Sequence, residues 1–215
     1  MLWIIIAATI SYLAGSIPTA YIFGRLLKGI DIRKHGSGNV GATNALRTLG
    51  KKVGFLVLLL DILKGFLPVF LIAIYIAPQI YLMSNETILL IAGICCICGH
   101  NWPVFLKFKG GKGIATTLGV LIALAVHIPS LKLILALVTF SWFLVFFILG
   151  IVSIASIISA ITLPLYVFFF KQSQILILTS IILCIFIIVR HKSNLMRFFR
   201  GEEKPLLKTK PKNSS

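Results

Sequence analysis

A chain of 215 residues with 59% apolar content and a mean hydropathy of +1.05 is too apolar for an ordinary water-soluble domain, where the apolar share is roughly 45–50%. Its formal net charge of +16 comes from 21 Lys and Arg against 5 Asp and Glu. In a soluble protein that balance would suit nucleic-acid binding. Here the charge is confined to the joints between apolar blocks, so membrane topology and anionic substrates explain it better, and no nucleic-acid partner is expected.

The first apolar block, residues 2–23, has no Lys or Arg before it. A cleaved signal peptide would open with a basic segment, so this block reads as a permanent span. The first basic joint follows, with Arg25, Lys28, Arg33, Lys34, Arg47, Lys51 and Lys52. It holds the run Gly36-Ser37-Gly38-Asn39-Val40-Gly41-Ala42-Thr43-Asn44. Glycines let backbone N–H groups approach an anion, Ser, Asn and Thr add donors, and Arg47 offers a two-pronged fork for phosphate. A flexible turn is the plainer alternative, but a turn does not need so many interleaved donors. The spacing is not that of a nucleotide-binding loop.

The second block, residues 53–77, contains Asp61 and Lys64 at i and i+3. Either alone in lipid would be costly, so mutual pairing or a polar cavity is expected. After a short outer joint comes the third block, residues 87–105, with Cys95, Cys96 and Cys98. These and Cys184 read as small packing residues, and no metal site is expected. The second basic joint runs through Gly99-His100-Asn101-Trp102-Pro103 and Phe108-Lys109-Gly110-Gly111-Lys112-Gly113 to Thr116-Thr117. Glycines and lysines before a helix start suit an anion cradle; membrane anchoring would explain the lysines but not the glycines.

Blocks four to six cover residues 114–128, 133–149 and 154–170. The joint before the sixth is uncharged and carries Ser153 and Ser156, each read equally as a helix cap or as a site residue. Block seven, residues 175–189, leads to His191, Asn194, Arg197 and Glu203. The spacing of three puts the first three on one side of a helix. Residues 204–215 form a polar, Lys- and Pro-rich tail expected to be disordered. His35 and His127 read as loop or interfacial residues.

The predicted fold is therefore an all-α membrane protein of about seven transmembrane helices, with residues 1–203 as one integral-membrane domain. The basic joints after blocks one, three and seven share a side only if the span count is odd. The positive-inside rule then puts the N-terminus outside and the C-terminus in the cytoplasm.

The runs Gly36 to Asn44 with Arg47, Gly99 to Thr116, and His191 to Glu203 resemble, in order, the three signatures of the bacterial acyl-phosphate-dependent glycerol-3-phosphate acyltransferases. The Asp61-x-x-Lys64-Gly65 and Val152-Ser153-x-x-Ser156 elements look like further features of that family. The resemblance implies a seven-span enzyme of the bacterial inner membrane with its active site at the cytoplasmic face. Such an enzyme transfers a fatty acyl group from acyl phosphate to glycerol 3-phosphate, giving lysophosphatidic acid and phosphate, the first step of phospholipid synthesis. It implies no cofactor; its partners are the two substrates and membrane lipid, and it leaves open a soluble acyl-phosphate synthase.

By the same resemblance Ser37, Lys109, His191 and Asn194 are the catalytic candidates. Arg47 and Ser153 are substrate-binding candidates, with Asn39, Asn44, His100, Lys112, Arg197 and Glu203 secondary. The Ser37 and Lys109 cradle is expected to hold acyl phosphate while Arg47 and Ser153 help hold glycerol 3-phosphate. No His-x-x-x-x-Asp pair occurs, because the fifth residues after the four histidines are Val40, Phe105, Lys132 and Met196. The base is thus either His191 or the substrate's own phosphate. A transporter for phosphorylated metabolites is the competing class. Against it, the polar residues gather at one face rather than at the midplane.

Overall fold

The computed structural model describes residues 1–206, and among them every regular element is helical. Residues 207–215 of the predicted disordered tail lie outside the described residues. All seven apolar blocks are helical. They form α1 (Leu2–Ser16) with α2 (Thr19–Lys28), α4 (Lys51–Tyr75), α5 (Asn85–Asn101), α6 (Ile114–His127), α7 (Leu131–Leu149), α8 (Val152–Phe169) and α9 (Gln174–Arg190). Two short helices that the apolar pattern does not single out lie in basic joints: α3 (Ala42–Leu49) and α10 (Lys192–Phe199).

Five helical stretches are long and apolar enough to cross a membrane, and α9 with α10 makes a further pair bent by 58°. Block four forms the 14-residue α6, shorter than the roughly 20 residues of a typical span. Large apolar side chains such as Phe55, Phe140, Phe147, Phe168 and Phe169 are exposed, as lipid-facing residues are and as a soluble surface of this extent is not. The chain is a multi-pass integral membrane protein.

Local chemistry sets the helix ends. Pro18 lacks a backbone donor and divides block one into α1 and α2. Gly29, at φ +66°, closes α2 in a left-handed cap whose N–H donates to the Arg25 and Gly24 carbonyls. Ser84 and Ser173 cap α5 and α9 by accepting from the Thr87 and Leu176 N–H groups.

The chain divides into two compact units, the first Met1–Lys132 and the second from Leu133 onward. In the first, α4 is the central helix, packing on α1, α2, α3, α5 and α6, while α1 also packs on α5. Small residues make these approaches possible. A Cβ on Gly15 would overlap the Cys96 carbonyl, and one on Gly65 would overlap the Thr116 carbonyl. Cys96 is buried with its thiol on the Lys64 carbonyl at 3.1 Å, in keeping with a packing role. In the second unit α8 packs on α9, and α10 packs on both. The Trp142 indole of α7 donates to Ser156 Oγ at 3.1 Å.

The expected pairing of Asp61 and Lys64 is present at 2.8 Å, both side chains almost fully buried. Thr19 Oγ1 donates to Asp61 at 2.7 Å, and Lys64 donates to the Ile17 carbonyl at 2.8 Å. The carbonyl beside the proline break thus gains a charged donor.

Candidate active site

In the first unit the first joint is folded around one amide. Asn44 is fully buried. Its Oδ1 accepts from the Ser37 N–H at 2.8 Å, while Nδ2 donates to the carbonyls of Asn39 (2.9 Å), His35 (3.0 Å) and Ile32 (3.2 Å). A side chain so engaged shapes the loop and holds Ser37 at its exposed crest. Gly36, at φ +61°, is where this loop meets α3: a Cβ there would overlap Asn44 Oδ1 and lie 2.9 Å from Thr48 Cγ2. Asn39 is half-buried and Arg47 is exposed on α3.

The same joint carries a closed charge pair. Asp31 accepts from the Arg33 guanidinium at Nη2 (2.7 Å) and Nε (3.0 Å) and from the Arg33 N–H at 3.0 Å. The Arg33 side chain holds the Asp31 carboxyl down at about 2, and Asp31 in turn raises Arg33. Arg33 and Arg25 both sit over the Tyr21 ring, 5.2 and 5.3 Å from its centroid.

The second joint packs back onto the end of α5. The Gly111 N–H donates to the His100 carbonyl at 3.1 Å. A Cβ on Gly111 would overlap the His100 ring, one on Gly110 the His100 carbonyl, and one on Gly113 would come 2.9 Å from Asn101 Oδ1. Close packing therefore accounts for the glycines between the lysines, a reason that sequence reasoning did not supply. His100 is buried, with Nδ1 3.1 Å from Thr116 Oγ1 and 3.9 Å from Asp61. Lys109 is exposed and Lys112 half-buried. The chain leading into Lys109 carries Lys107 and Phe108 in the left-handed region, at φ 53° and 61°, a conformation costing such residues of order 1 kcal/mol or more.

Both joints rest on one apolar cluster. Ile32 and Val40 come from the first joint, Leu106 from the second, and Ala20, Ala45, Leu49 and Val57 from α2, α3 and α4. Ser37 and Lys109 thus belong to loops, and Arg47 to the helix α3, seated on shared ground, although far apart in sequence.

In the second unit the groups converge on a carboxylate. Glu203 accepts from Ser153 Oγ (2.8 Å) and Asn194 Nδ2 (2.5 Å) through one oxygen, and from Arg197 Nε (2.7 Å) through the other. Burial alone would raise the Glu203 carboxyl; the bonds from Asn194, Ser153 and Arg197 outweigh it and hold the carboxyl below its usual range. Asn194 and Arg197 share a face of α10, as their spacing predicts. Neither Ser153 nor Ser156 caps α8: Ser156 donates to the Val152 carbonyl at 2.8 Å. The joint around Ser153, uncharged in local sequence, receives its charge from Glu203.

His191 sits at the bend between α9 and α10 and is buried. Its Nδ1 lies 2.8 Å from the Ile187 carbonyl. A carbonyl only accepts, so Nδ1 carries a proton directed at it. Residues that sequence reasoning did not single out are Thr19 and Tyr12, whose hydroxyl donates to the Trp102 carbonyl at 2.8 Å. Pro18 is the one local signal that the residue after it would need an outside partner. Among the described residues no group of His, Cys, Asp and Glu forms a metal cluster.

Comparison with known proteins gives a consistent match. The family model described as glycerol-3-phosphate acyltransferase matches residues 5–201. Proteins named glycerol-3-phosphate acyltransferase from Fusobacterium nucleatum and Staphylococcus haemolyticus are similar. The first is 41% identical, covering 90% of this chain and 93% of the relative; the second is 43% identical, covering 93% and 96%. Among solved structures, PlsY (YgiH), an integral membrane glycerol 3-phosphate acyltransferase, is 36% identical over 94% of each chain. Its glycerol 3-phosphate form superposes with a TM-score of 0.82 and its lysophosphatidic acid form with 0.79.

Proposed function

Because this chain belongs to the glycerol-3-phosphate acyltransferase family, we propose that it acylates glycerol 3-phosphate with acyl phosphate as the donor, releasing lysophosphatidic acid and inorganic phosphate. The observation that carries the reading is the seating of two cationic, donor-rich joints on one apolar cluster in the first unit. Such joints suit a reaction whose two substrates are both phosphorylated.

Acyl phosphate is a mixed anhydride whose phosphate is already a good leaving group. The glycerol 3-phosphate hydroxyl oxygen bonds to the acyl carbon, the bond from that carbon to the phosphate oxygen breaks, and the hydroxyl proton must be taken up. The protein's task is to position two anions and stabilise developing charge. Ser37 and Lys109 cradle the acyl phosphate, helped by Asn39 and Lys112. Arg47 and Ser153 help hold glycerol 3-phosphate, with Arg197, its charge offset by Glu203, contributing guanidinium N–H donors. His191 accepts the proton at Nε2, and Asn194 lines the reacting end beside it. Asn44, His100 and Glu203 act one step back, by shaping the loops that present these groups.

The basic joints face the cytoplasm, by the positive-inside rule, in the bacterial inner membrane. An assay of detergent-purified protein with acyl phosphate and glycerol 3-phosphate tests the reading, with an acyl thioester offered in competition. Phosphate release that requires both substrates, with the thioester unused, is the expected result. Uptake of glycerol 3-phosphate into vesicles without release, or consumption of the thioester alone, would overturn it.

A further inference from the structure

The Asp61–Lys64 pair is more elaborate than the burial of two charges requires. Its two side chains are 1% and 8% exposed, within the helix α4 that crosses the apolar region. Removing charges from water at that depth is costly, and an apolar pair of similar volume often stabilises a fold as well or better. A reason other than stability is therefore called for, and the partners of the pair supply one.

Two arms lead outward. One runs to the start of α2: Thr19 donates to Asp61 at 2.7 Å and Lys64 donates to the Ile17 carbonyl at 2.8 Å. This fixes the direction in which α2 leaves the Pro18 break, and α2 delivers the chain into the first basic joint at Gly29. The other runs to the end of α5. Asp61 Oδ1 lies 3.9 Å from His100 Nδ1, which also meets Thr116 Oγ1 at 3.1 Å. His100 is the seat of the second joint, through its carbonyl to the Gly111 N–H and its ring against Gly111. Val57, one turn earlier on α4, belongs to the apolar cluster on which both joints rest.

We propose that Asp61 and Lys64 are positioning residues for the acyl transfer: a buried, directional junction between the α2 start and the α5 end that sets the register of the two phosphate-handling joints. The inference rests on the proposed function. Neither residue touches substrate. An apolar pair in their place would fill the space but leave the break and the His100 seat without direction.

The test separates position from stability. In the full-length protein in detergent, thermal unfolding, kcat/KM for both substrates and the concentration of inorganic phosphate needed for thermal protection are measured for Asp61→Leu, Lys64→Met and the double variant. Each single variant leaves a buried charge unpaired and unfolds at a lower temperature. The double variant recovers the unfolding temperature yet remains about 10- to 100-fold low in kcat/KM, and it needs more phosphate for protection. Recovery of both stability and kcat/KM in the double variant would overturn the proposal.

Should the double variant not fold, Thr19→Val serves instead, since it keeps the shape and leaves no charge unpaired. Reduced kcat/KM at an unchanged unfolding temperature supports the junction, and unchanged kinetics refute it. If the wild-type protein shows no turnover, the proposed acyl transfer fails. The junction is then judged on phosphate protection alone, with weaker protection in Thr19→Val supporting it and unchanged protection refuting it.

Discussion

In the first unit the backbone of each cationic joint is gathered by an amide or an imidazole, beside the Asp31–Arg33 and Asp61–Lys64 pairs. Asn44 gathers the loop backbone around its amide, and His100 seats the glycines of the second joint. In the second unit the hydroxyl, amide and guanidinium groups of Ser153, Asn194 and Arg197 are gathered by an anion, Glu203. A neutral clasp such as the Asn44 amide brings no acidic group to the loop it gathers, which suits the capture of anionic substrates. A carboxylate clasp gives tight, directional geometry but offsets the charge of the guanidinium it holds. Under the proposed function, electrostatic attraction falls chiefly to the first unit and orientation of the polar groups to the second.

The largest effect is expected at His191, because it alone in the second unit combines burial with a ring tautomer fixed by a carbonyl. His191→Ala should lower kcat by about 10²- to 10⁴-fold, the range for a general base, beyond whatever loss of stability the missing buried ring brings, thermal unfolding reporting the latter. Near-normal turnover would assign the proton to the substrate phosphate. A pH–rate profile that loses its acid limb in the variant would sharpen the assignment.

Next comes Asn44→Ala in the first unit. It removes the amide from the Asn39 carbonyl and the Ser37 N–H, while the Ile32 and His35 carbonyls keep their bonds from the His35 and Gly38 N–H groups, and should cost about 2–4 kcal/mol of stability, read by thermal unfolding, together with most activity. A stable and active variant would show that the neutral clasp is dispensable. Glu203→Gln should cost less, about 1–2 kcal/mol, because the amide oxygen still accepts. Its signature is pH dependence. The folded-state carboxyl is held below its usual range, so its contribution is fully present above that range and is lost as pH falls through the folded value. Stability measured against pH should therefore decline less steeply on the acid side in Glu203→Gln than in the wild type. Asp31→Asn should matter least, within about 1 kcal/mol, since the Arg33 side chain it holds is 31% exposed. A large loss of activity there would mean that the Arg33 charge needs its partner for function.

The apolar blocks were legible because hydropathy and length report lipid burial directly. The first block hid its break, since Pro18 within an apolar run does not say whether a helix kinks or divides. Block four was legible as helical but not in how it sits, because its 14 residues depend on packing against α4 through Gly65 and Gly119. At the site, residue types revealed the joints but not the division of labour. Asn44 and Ser37 look alike as donors in a glycine run, and only three dimensions separate the buried clasp from the exposed crest. Glu203 lies far along the chain from Ser153, and no local pattern announces that the two meet. In sequence the glycines of the second joint look like room for an anion, whereas their Cβ positions are occupied by His100 and its neighbours.

The central claim is that the two cationic joints of the first unit, seated on one apolar cluster, serve a single acyl transfer. It is tested most directly by kcat/KM for acyl phosphate and glycerol 3-phosphate in Arg47→Ala, Lys109→Ala and the double variant. Residues that act as one catalytic unit are strongly non-additive, so the double variant should be little slower than the slower single variant. Losses that simply multiply, or a Lys109→Ala variant with wild-type kinetics, would contradict the account.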